Sequence, residues 1–391
     1  MKIKSVIAKK IKDSRGEETI EVKIETNLGF FSSSAPNGKS KGKNEVKSYK
    51  KSLDEDIESI KKISEYFSKE HLEKFEDLKY IEDISKGHLG GNTVFALESA
   101  VLKAISKEQK KEIWEIINSK AEKSPRFVGN VIGGGIHSKI KNKSPDFQEF
   151  LIIADEINAK ESFEKLKKIK ENLKIPLKQK DPKFKEEKND EDAWITSLNE
   201  KEILDILSQT NEKIGVDIAA QSFYKRKKYR YKNPPLDRNS EEQFSYISNL
   251  IKNFNLFYVE DPFGEEEFEY FKKLLEKNEG ELIVGDDLTT TNPKRLKKAI
   301  KEKSINAIII KPNQIGSLIQ VKEIVRIAKE NNIKTIFSHR SGETEENILA
   351  DLAFGFEADF LKCGVTSKVR ESKIKRIIEI EESLNNSSKS L

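Results

Sequence analysis

The sequence predicts an α/β fold: a barrel of alternating strands and helices, preceded by a smaller α+β domain. Three observations carry this reading. A strand hairpin followed by helical patterning fills roughly the first third of the chain. Short β-rich runs then recur, with amphipathic segments such as Val321 to Ile327 between them. Each of those runs ends on a residue able to do chemistry.

Thr19–Thr26 alternates apolar and polar residues, Asn27-Leu28-Gly29 supplies a turn, and Phe30–Ser33 returns, which makes an antiparallel hairpin. Pro36-Asn37-Gly38-Lys39-Ser40-Lys41-Gly42 is a polar, glycine-bearing loop. Residues 47–120 are mostly helical, and Val94, Leu97, Val101, Ala104 and Ile105 repeat at helical spacing behind Asn92, expected to be a cap. Residues 160–190, rich in Lys and Glu with Pro176 and Pro182, read as a helix and then a solvated loop. The expected domains are 1–122 and 123–391.

In the second domain Ile214–Val216 ends on Asp217, Leu256–Val259 on Glu260, and Leu282–Gly285 on Asp286. Ile305–Ile310 ends on Lys311, Thr335–Ser338 on His339-Arg340-Ser341, and Asp359–Leu361 on Lys362. From Glu260 onward the steps are 26, 25, 28 and 23 residues, each the length of one strand-plus-helix unit. Parallel strands with right-handed crossovers close into a barrel, and their C-terminal ends face one mouth.

Composition bounds the function. A net charge of +5 over 391 residues argues against a polyelectrolyte tail and gives little support to a nucleic-acid partner. Apolar residues at 36% are few for a globular chain, yet this length still buries a sizeable core. The single cysteine, Cys363, excludes an internal disulfide and fits a reducing compartment; we read it as a small buried residue. The first ten residues lack the apolar stretch of a secretory signal, and no run is long enough for a membrane helix. A cytoplasmic protein is expected.

Three carboxylates at successive strand ends, Asp217, Glu260 and Asp286, need a counter-charge, and magnesium takes oxygen ligands. Lys311 and Lys362 complete the mouth. Two neighbouring ammonium groups favour loss of one proton, so a lysine can act as general base. That set suits proton abstraction beside a carboxylate, with a divalent metal stabilising the enolate. His339-Arg340-Ser341-Gly342 precedes a helix expected near Thr344, an arrangement suited to phosphate. His71 and His88 read as surface residues, and Trp114 and Trp194 as packing. Lys225–Lys232 is basic with interleaved aromatics; a solvated hairpin beside the barrel is preferred to a nucleic-acid strand.

Several strings are similar to the enolase family over nearly the whole chain. They are Asp13-Ser14-Arg15-Gly16, Gln148-Glu149-Phe150, Val259-Glu260-Asp261-Pro262-Phe263 and the run from Gly285 through Asp286 to Arg295. The most specific are Lys311-Pro312-Asn313-Gln314-Ile315-Gly316-Ser317 and Ser338-His339-Arg340-Ser341-Gly342-Glu343-Thr344-Glu345. Enzymes of that superfamily use a Lys or His base with magnesium. The resemblance implies a barrel with irregular first strands and the glycolytic and gluconeogenic dehydration of 2-phosphoglycerate. It also implies a small phosphorylated acid as partner and a homodimer or larger assembly.

By the same resemblance, Asp217, Glu260 and Asp286 would hold a first magnesium, bridged by the substrate carboxylate to a second ion that arrives with substrate and is reached by Ser40. Lys311 would take the C2 proton, while Lys362 would hold the carboxylate and depress the pKa of Lys311. Glu191 would protonate the leaving C3 hydroxyl with Glu149 beside it, Arg340 and Ser341 would bind phosphate, and His137 and His339 would line the pocket.

The chain departs from the family pattern around this set. Asn189-Asp190-Glu191-Asp192-Ala193 stands for the usual Gly-Asp-Glu-Gly-Gly, and Gly133 for the Asn of Asn-Gly-Gly. Asn37–Gly42 carries two extra cations, the segment at 138–146 is longer, and Glu17-Glu18 replaces an Asn-Pro expected near a dimer contact. Two other readings are a lyase of the same type acting on a different hydroxy acid, and a catalytically impaired relative with a binding role. A chain released from catalysis has no physical reason to crowd two lysines and several acids into one pocket.

Overall fold

β1 (Ile3–Lys12), β2 (Glu18–Thr26) and β3 (Gly29–Ser34) form an antiparallel meander in the computed structural model, which describes residues 1–39, 42–138 and 143–389. The hairpin is as expected. β1 is an additional edge strand whose lysines mask its apolar alternation; charge along an edge discourages pairing with other chains. The helix Gly91–Gln109 packs on β2 and β3 through a nearly continuous buried surface. Asn92 does not cap this helix, because its N-cap is Gly90. A Cβ at Gly90 would lie 2.3 Å from the Tyr49 backbone, so the chain enters the helix where only glycine fits. Asn92 instead links the domains, donating to Pro36 O at 3.2 Å and accepting from Asn313 at 2.9 Å.

The second unit begins with β4 (Arg126–Gly133), β5 (Glu149–Ala154), the short β6 (Trp194–Ile195) and β7 (Lys213–Asp217). A side meander follows: β8 (Tyr224–Lys225), β9 (Lys228–Lys232) and β10 (Pro235–Arg238). It is the expected basic hairpin with a third strand, its cations exposed and Tyr229 and Tyr231 buried. Then come β11 (Tyr258–Glu260), β12 (Leu282–Gly285), β13 (Ala307–Ile310), β14 (Lys334–Ser338) and β15 (Phe360–Gly364). The barrel order is β4-β5-β7-β11-β12-β13-β14-β15, closed by β15 on β4. β5 runs antiparallel to both neighbours, so the first strands are irregular. Helices between strands start on recognisable signals: Asn292 accepts from Lys294 and Arg295 N–H ahead of Pro293, a cap worth about 1 kcal/mol.

Period-two alternation sorts each barrel strand. Val128, Leu151, Tyr258, Val284, Ile309, Ile336 and Phe360 pack together inside, while Val259, Ile283, Ile308, Phe337 and Leu361 join the core under the helices. Two residues nearer the mouth, the inward positions turn polar on all eight strands: Asn130, Glu149, Asp217, Glu260, Asp286, Lys311, Ser338 and Lys362.

Residues 159–180 form two helices, Ala159–Asn172 and Lys174–Lys180. The following loop is not simply solvated, because Asp181, Asn189 and Glu191 are buried in it. Cys363, Trp114 and Trp194 are buried, while His71 and His88 are exposed. Among the described residues, no helix is long and apolar enough to cross a membrane.

Candidate active site

Six of these inward polar positions, all but Asn130 and Glu260, line a pocket that Gly38, Lys39 and Glu45 of the N-terminal unit also border. At its floor, Lys362 Nζ lies 2.7 Å from Glu260, 3.0 Å from Asp217 and 3.3 Å from Glu149. Lys311 Nζ pairs with Asp286 at 2.5 Å. Burial would lower both lysines, but the carboxylates win: Asp286 raises Lys311, and Asp217 raises Lys362. The expected depression of Lys311 is therefore not what the protein alone produces. Each ammonium is neutralising carboxylates rather than facing only its fellow cation.

Glu149 starts the antiparallel β5, so it is that strand's first residue, not its last, that reaches the mouth beside Asp217. It hydrogen-bonds Glu191. Burial and the neighbouring Glu191 charge raise Glu149 far above the usual carboxylate range. Burial pushes Glu191 the same way, but the Arg370 charge and the Glu149 hydrogen bond oppose it, and Glu191 lies below the usual carboxylate range. Of the two carboxyls, Glu149 is the one driven toward its protonated form. Asn130 donates to Glu191 at 3.0 Å, and His137 and His339 face it at 3.6 and 3.7 Å. His339 Nδ1 meets Arg370 at 2.7 Å and the Gly364 N–H at 3.3 Å. Both partners are donors, so Nδ1 accepts and the imidazole is neutral with its proton on Nε2, toward Glu191. Burial, then the Arg370 charge, holds His339 well below its ordinary pKa.

At the third side, Arg340 faces Glu45 at 3.3 Å and donates to Asn313. Ser341 Oγ accepts from the Lys39 N–H at 2.8 Å and from Arg15 at 3.1 Å. The helix expected near Thr344 starts at Ile348, so its N-terminal amides do not serve this loop. Glu343 Oε1 occupies the Arg340 N–H instead, at 3.0 Å. The Asp13–Gly16 turn braces the loop within the chain: Ser14 N–H donates to Glu343 O at 2.7 Å. A Cβ on Gly342 would sit 2.1 Å from Asp13 Oδ2. Gly342→Ala should therefore displace Arg340 and Ser341 and raise KM at least tenfold while the fold persists, as steady-state kinetics would read. An unchanged KM would separate this turn from substrate binding.

Two supports escaped the sequence reading. Arg370 is buried and donates to the carbonyls of Asp190 at 3.0 Å, Ser341 at 2.7 Å and Arg340, tying the two loops together. Lys170 reaches under the Glu191 loop to Asp192 Oδ2 at 3.0 Å, and also bonds the Asp192 carbonyl and Thr366. Burial brings Lys170 down to about 8. Asp192 has φ +66°, a left-handed conformation that glycine adopts freely, and this clasp holds it there. Both are single cations among 72 and carry no sequence signal. Asn130 had one: a polar residue inside the apolar run Val128–Ile132.

The donor set fits a hard divalent cation. Glu260 Oε1 and Asp286 Oδ1 are buried without hydrogen-bond partners, and an ammonium already sits among Asp217, Glu260 and Glu149. Burial and the Asp217 charge push Glu260 up to about 8, so the cluster calls for positive charge. Asp261, Asp286 and Asp287 also approach one another, as do Glu149, Glu191 and His339. We favour neither group as the metal centre. Asp261 spends both oxygens on the Asp286 and Asp287 N–H groups, and in the other trio burial and the Glu191 charge drive Glu149 toward its neutral form. Ser40 lies outside the described residues.

β5 and β13 lie four strands apart around an eight-stranded barrel, so the Glu149–Glu191 acid pair and Lys311 stand on opposite walls with the carboxylate cluster between them. A carboxyl pair facing a lysine across an oxygen-rich centre suits acid–base elimination, the chemistry of a lyase. Comparison with known proteins agrees. Residues 123–390 match the family model described as the enolase C-terminal TIM barrel domain, and residues 3–117 match the enolase N-terminal domain. The curated enolases of Methanosphaera stadtmanae and Thermoplasma acidophilum are each 34% identical to this chain, over 99% and 98% of it and 98% of each relative. That of Picrophilus torridus is 34% identical over 98% of this chain and 99% of the relative. The chain belongs to the enolase family. Its activity is that of a phosphopyruvate hydratase, a lyase that depends on a divalent metal.

Proposed function

We propose that this pocket interconverts 2-phospho-D-glycerate and phosphoenolpyruvate with magnesium. The observation that carries the proposal is the opposition of Lys311 to the Glu149–Glu191 pair across the carboxylate cluster. Asp217, Glu260 and Asp286 would hold one magnesium ion and a second would arrive with substrate, supplying positive charge that stabilises an enolate and takes over the neutralising work of the lysines. Lys362 would then bind the substrate carboxylate, and Lys311, relieved of Asp286, would take the C2 proton through Nζ. The C2–H electron pair moves into the carboxylate. Its return forms the C2–C3 double bond and expels the C3 hydroxyl, which takes a proton from the Glu149–Glu191 pair and leaves as water. Arg340 and Ser341 would hold the phosphate, with neutral His137 and His339 lining the path.

Turnover of 2-phosphoglycerate against a panel of 2-hydroxy acids lacking phosphate tests the substrate. The phosphorylated acid alone should react, and the opposite preference would reassign the site to another acid. Asp286→Asn should weaken magnesium binding about 10- to 100-fold in a calorimetric titration; an unchanged titration would remove Asp286 from the metal. We also infer a domain boundary at residue 122 and a cytoplasmic homodimer. Ile7 and Phe30, 53% and 62% exposed on the open face of the β1–β3 sheet, support the dimer.

A further inference from the structure

Two departures from the family pattern, Gly133 and Asn189, meet in space. Gly133 ends β4 and pairs with Glu149 on one side and Ile195 on the other. A Cβ built on it would lie 2.0 Å from Asn189 Nδ2 and 2.9 Å from its Cγ. The Asn189 amide therefore fills the volume that any side chain at 133 would enter. From there its Oδ1 accepts the N–H groups of Glu191 and Ala193, both at 2.9 Å, while Asn189 N–H bonds the Ala193 carbonyl and Asp192 N–H bonds the Asn189 carbonyl. The loop from 189 to 193 is thus wound around one buried amide, and Glu191 hangs from it.

We propose that Gly133 and Asn189 form one coupled device that positions Glu191, with the amide supplied from position 189 and the space for it from position 133. The proposal rests on Glu191 belonging to the acid pair, and Asn189 acts through it as a positioning residue. An asparagine at 133 would start where the Asn189 amide ends, so the two sites exchange roles rather than add. Asn189→Gly unties the Glu191 and Ala193 N–H groups. Gly133→Asn drives Asn189 out of its place. Combined, the two changes return one amide to one space.

The test is a double-mutant cycle on the magnesium-saturated enzyme, reading phosphoenolpyruvate formation and exchange of the C2 hydrogen of 2-phosphoglycerate with deuterated water. Asn189→Gly, which adds no bulk, should slow dehydration about 10- to 100-fold and leave C2 exchange within about threefold, a split that a general loss of structure would not give. Gly133→Asn should do the same, and the double variant should recover to within about fivefold of the parent. Multiplicative losses in the double variant, or equal losses of dehydration and exchange in Asn189→Gly, would overturn the coupling. Glu191→Gln, run alongside, keeps the two readings apart. If it leaves dehydration intact, the acid assignment fails and this inference with it; if it blocks dehydration while Asn189→Gly does not, the inference alone fails.

Discussion

Lys311→Ala should reduce turnover of 2-phosphoglycerate by about 10²- to 10⁴-fold and abolish C2 hydrogen exchange to the same degree. The side chain stands opposite the Glu149–Glu191 pair, and its ammonium pairs with Asp286 at 2.5 Å. In the protein alone that contact keeps it charged, so its service as a base depends on a cation taking over Asp286. The expected loss is therefore measured at saturating magnesium, where the parent's Lys311 is free to accept a proton. Circular dichroism should show the variant folded, because Lys311 lies at a strand end rather than in the apolar interior. Full activity in a folded variant would remove Lys311 from the reaction.

The second large effect is expected at Glu191. Glu191→Gln removes a carboxylate on which Asn130, His137, His339 and Glu149 converge. Dehydration should fall by about 10²- to 10⁴-fold. C2 exchange should survive, since Lys311 acts across the barrel from the acid pair. Following both reactions in deuterated water separates the two proton transfers. Equal loss of exchange and dehydration would show that Glu191 is needed before the enolate forms, and that it is not the late acid.

The parts legible in the sequence share a cause. A barrel strand buried on both faces reads as a short apolar run, and the parity that turns Tyr258, Val284 and Ile309 inward carries Glu260, Asp286 and Lys311 to the mouth. Chemistry at a strand's end was therefore visible as a residue type out of place. The rule fails for Glu149 because β5 runs backward and presents its first residue, so only the motif Gln148-Glu149-Phe150 pointed to it. Asn92 looks like a cap by its type, but Gly90 takes that position because the Tyr49 backbone presses on it. The helix after the His339–Ser341 loop begins four residues later than Thr344, and the Glu343, Thr344 and Glu346 side chains accept the N–H groups of Thr344, Glu346 and Asn347 between.

What the sequence could not show is how the loop around Glu191 keeps its shape without its glycines. The answer uses residues distant along the chain: Lys170 and Thr366 hold Asp192, Arg370 holds the Asp190 carbonyl, and Gly133 leaves room for Asn189. None of these has a local pattern, because each is defined by a neighbour that only the closed barrel supplies.

The most direct test of the central claim is formation of phosphoenolpyruvate from 2-phosphoglycerate by the purified protein, followed by its ultraviolet absorbance with magnesium and after chelation. Product that appears with magnesium, disappears on chelation and returns on adding the metal back is the predicted result. No product from folded, magnesium-saturated protein would contradict it.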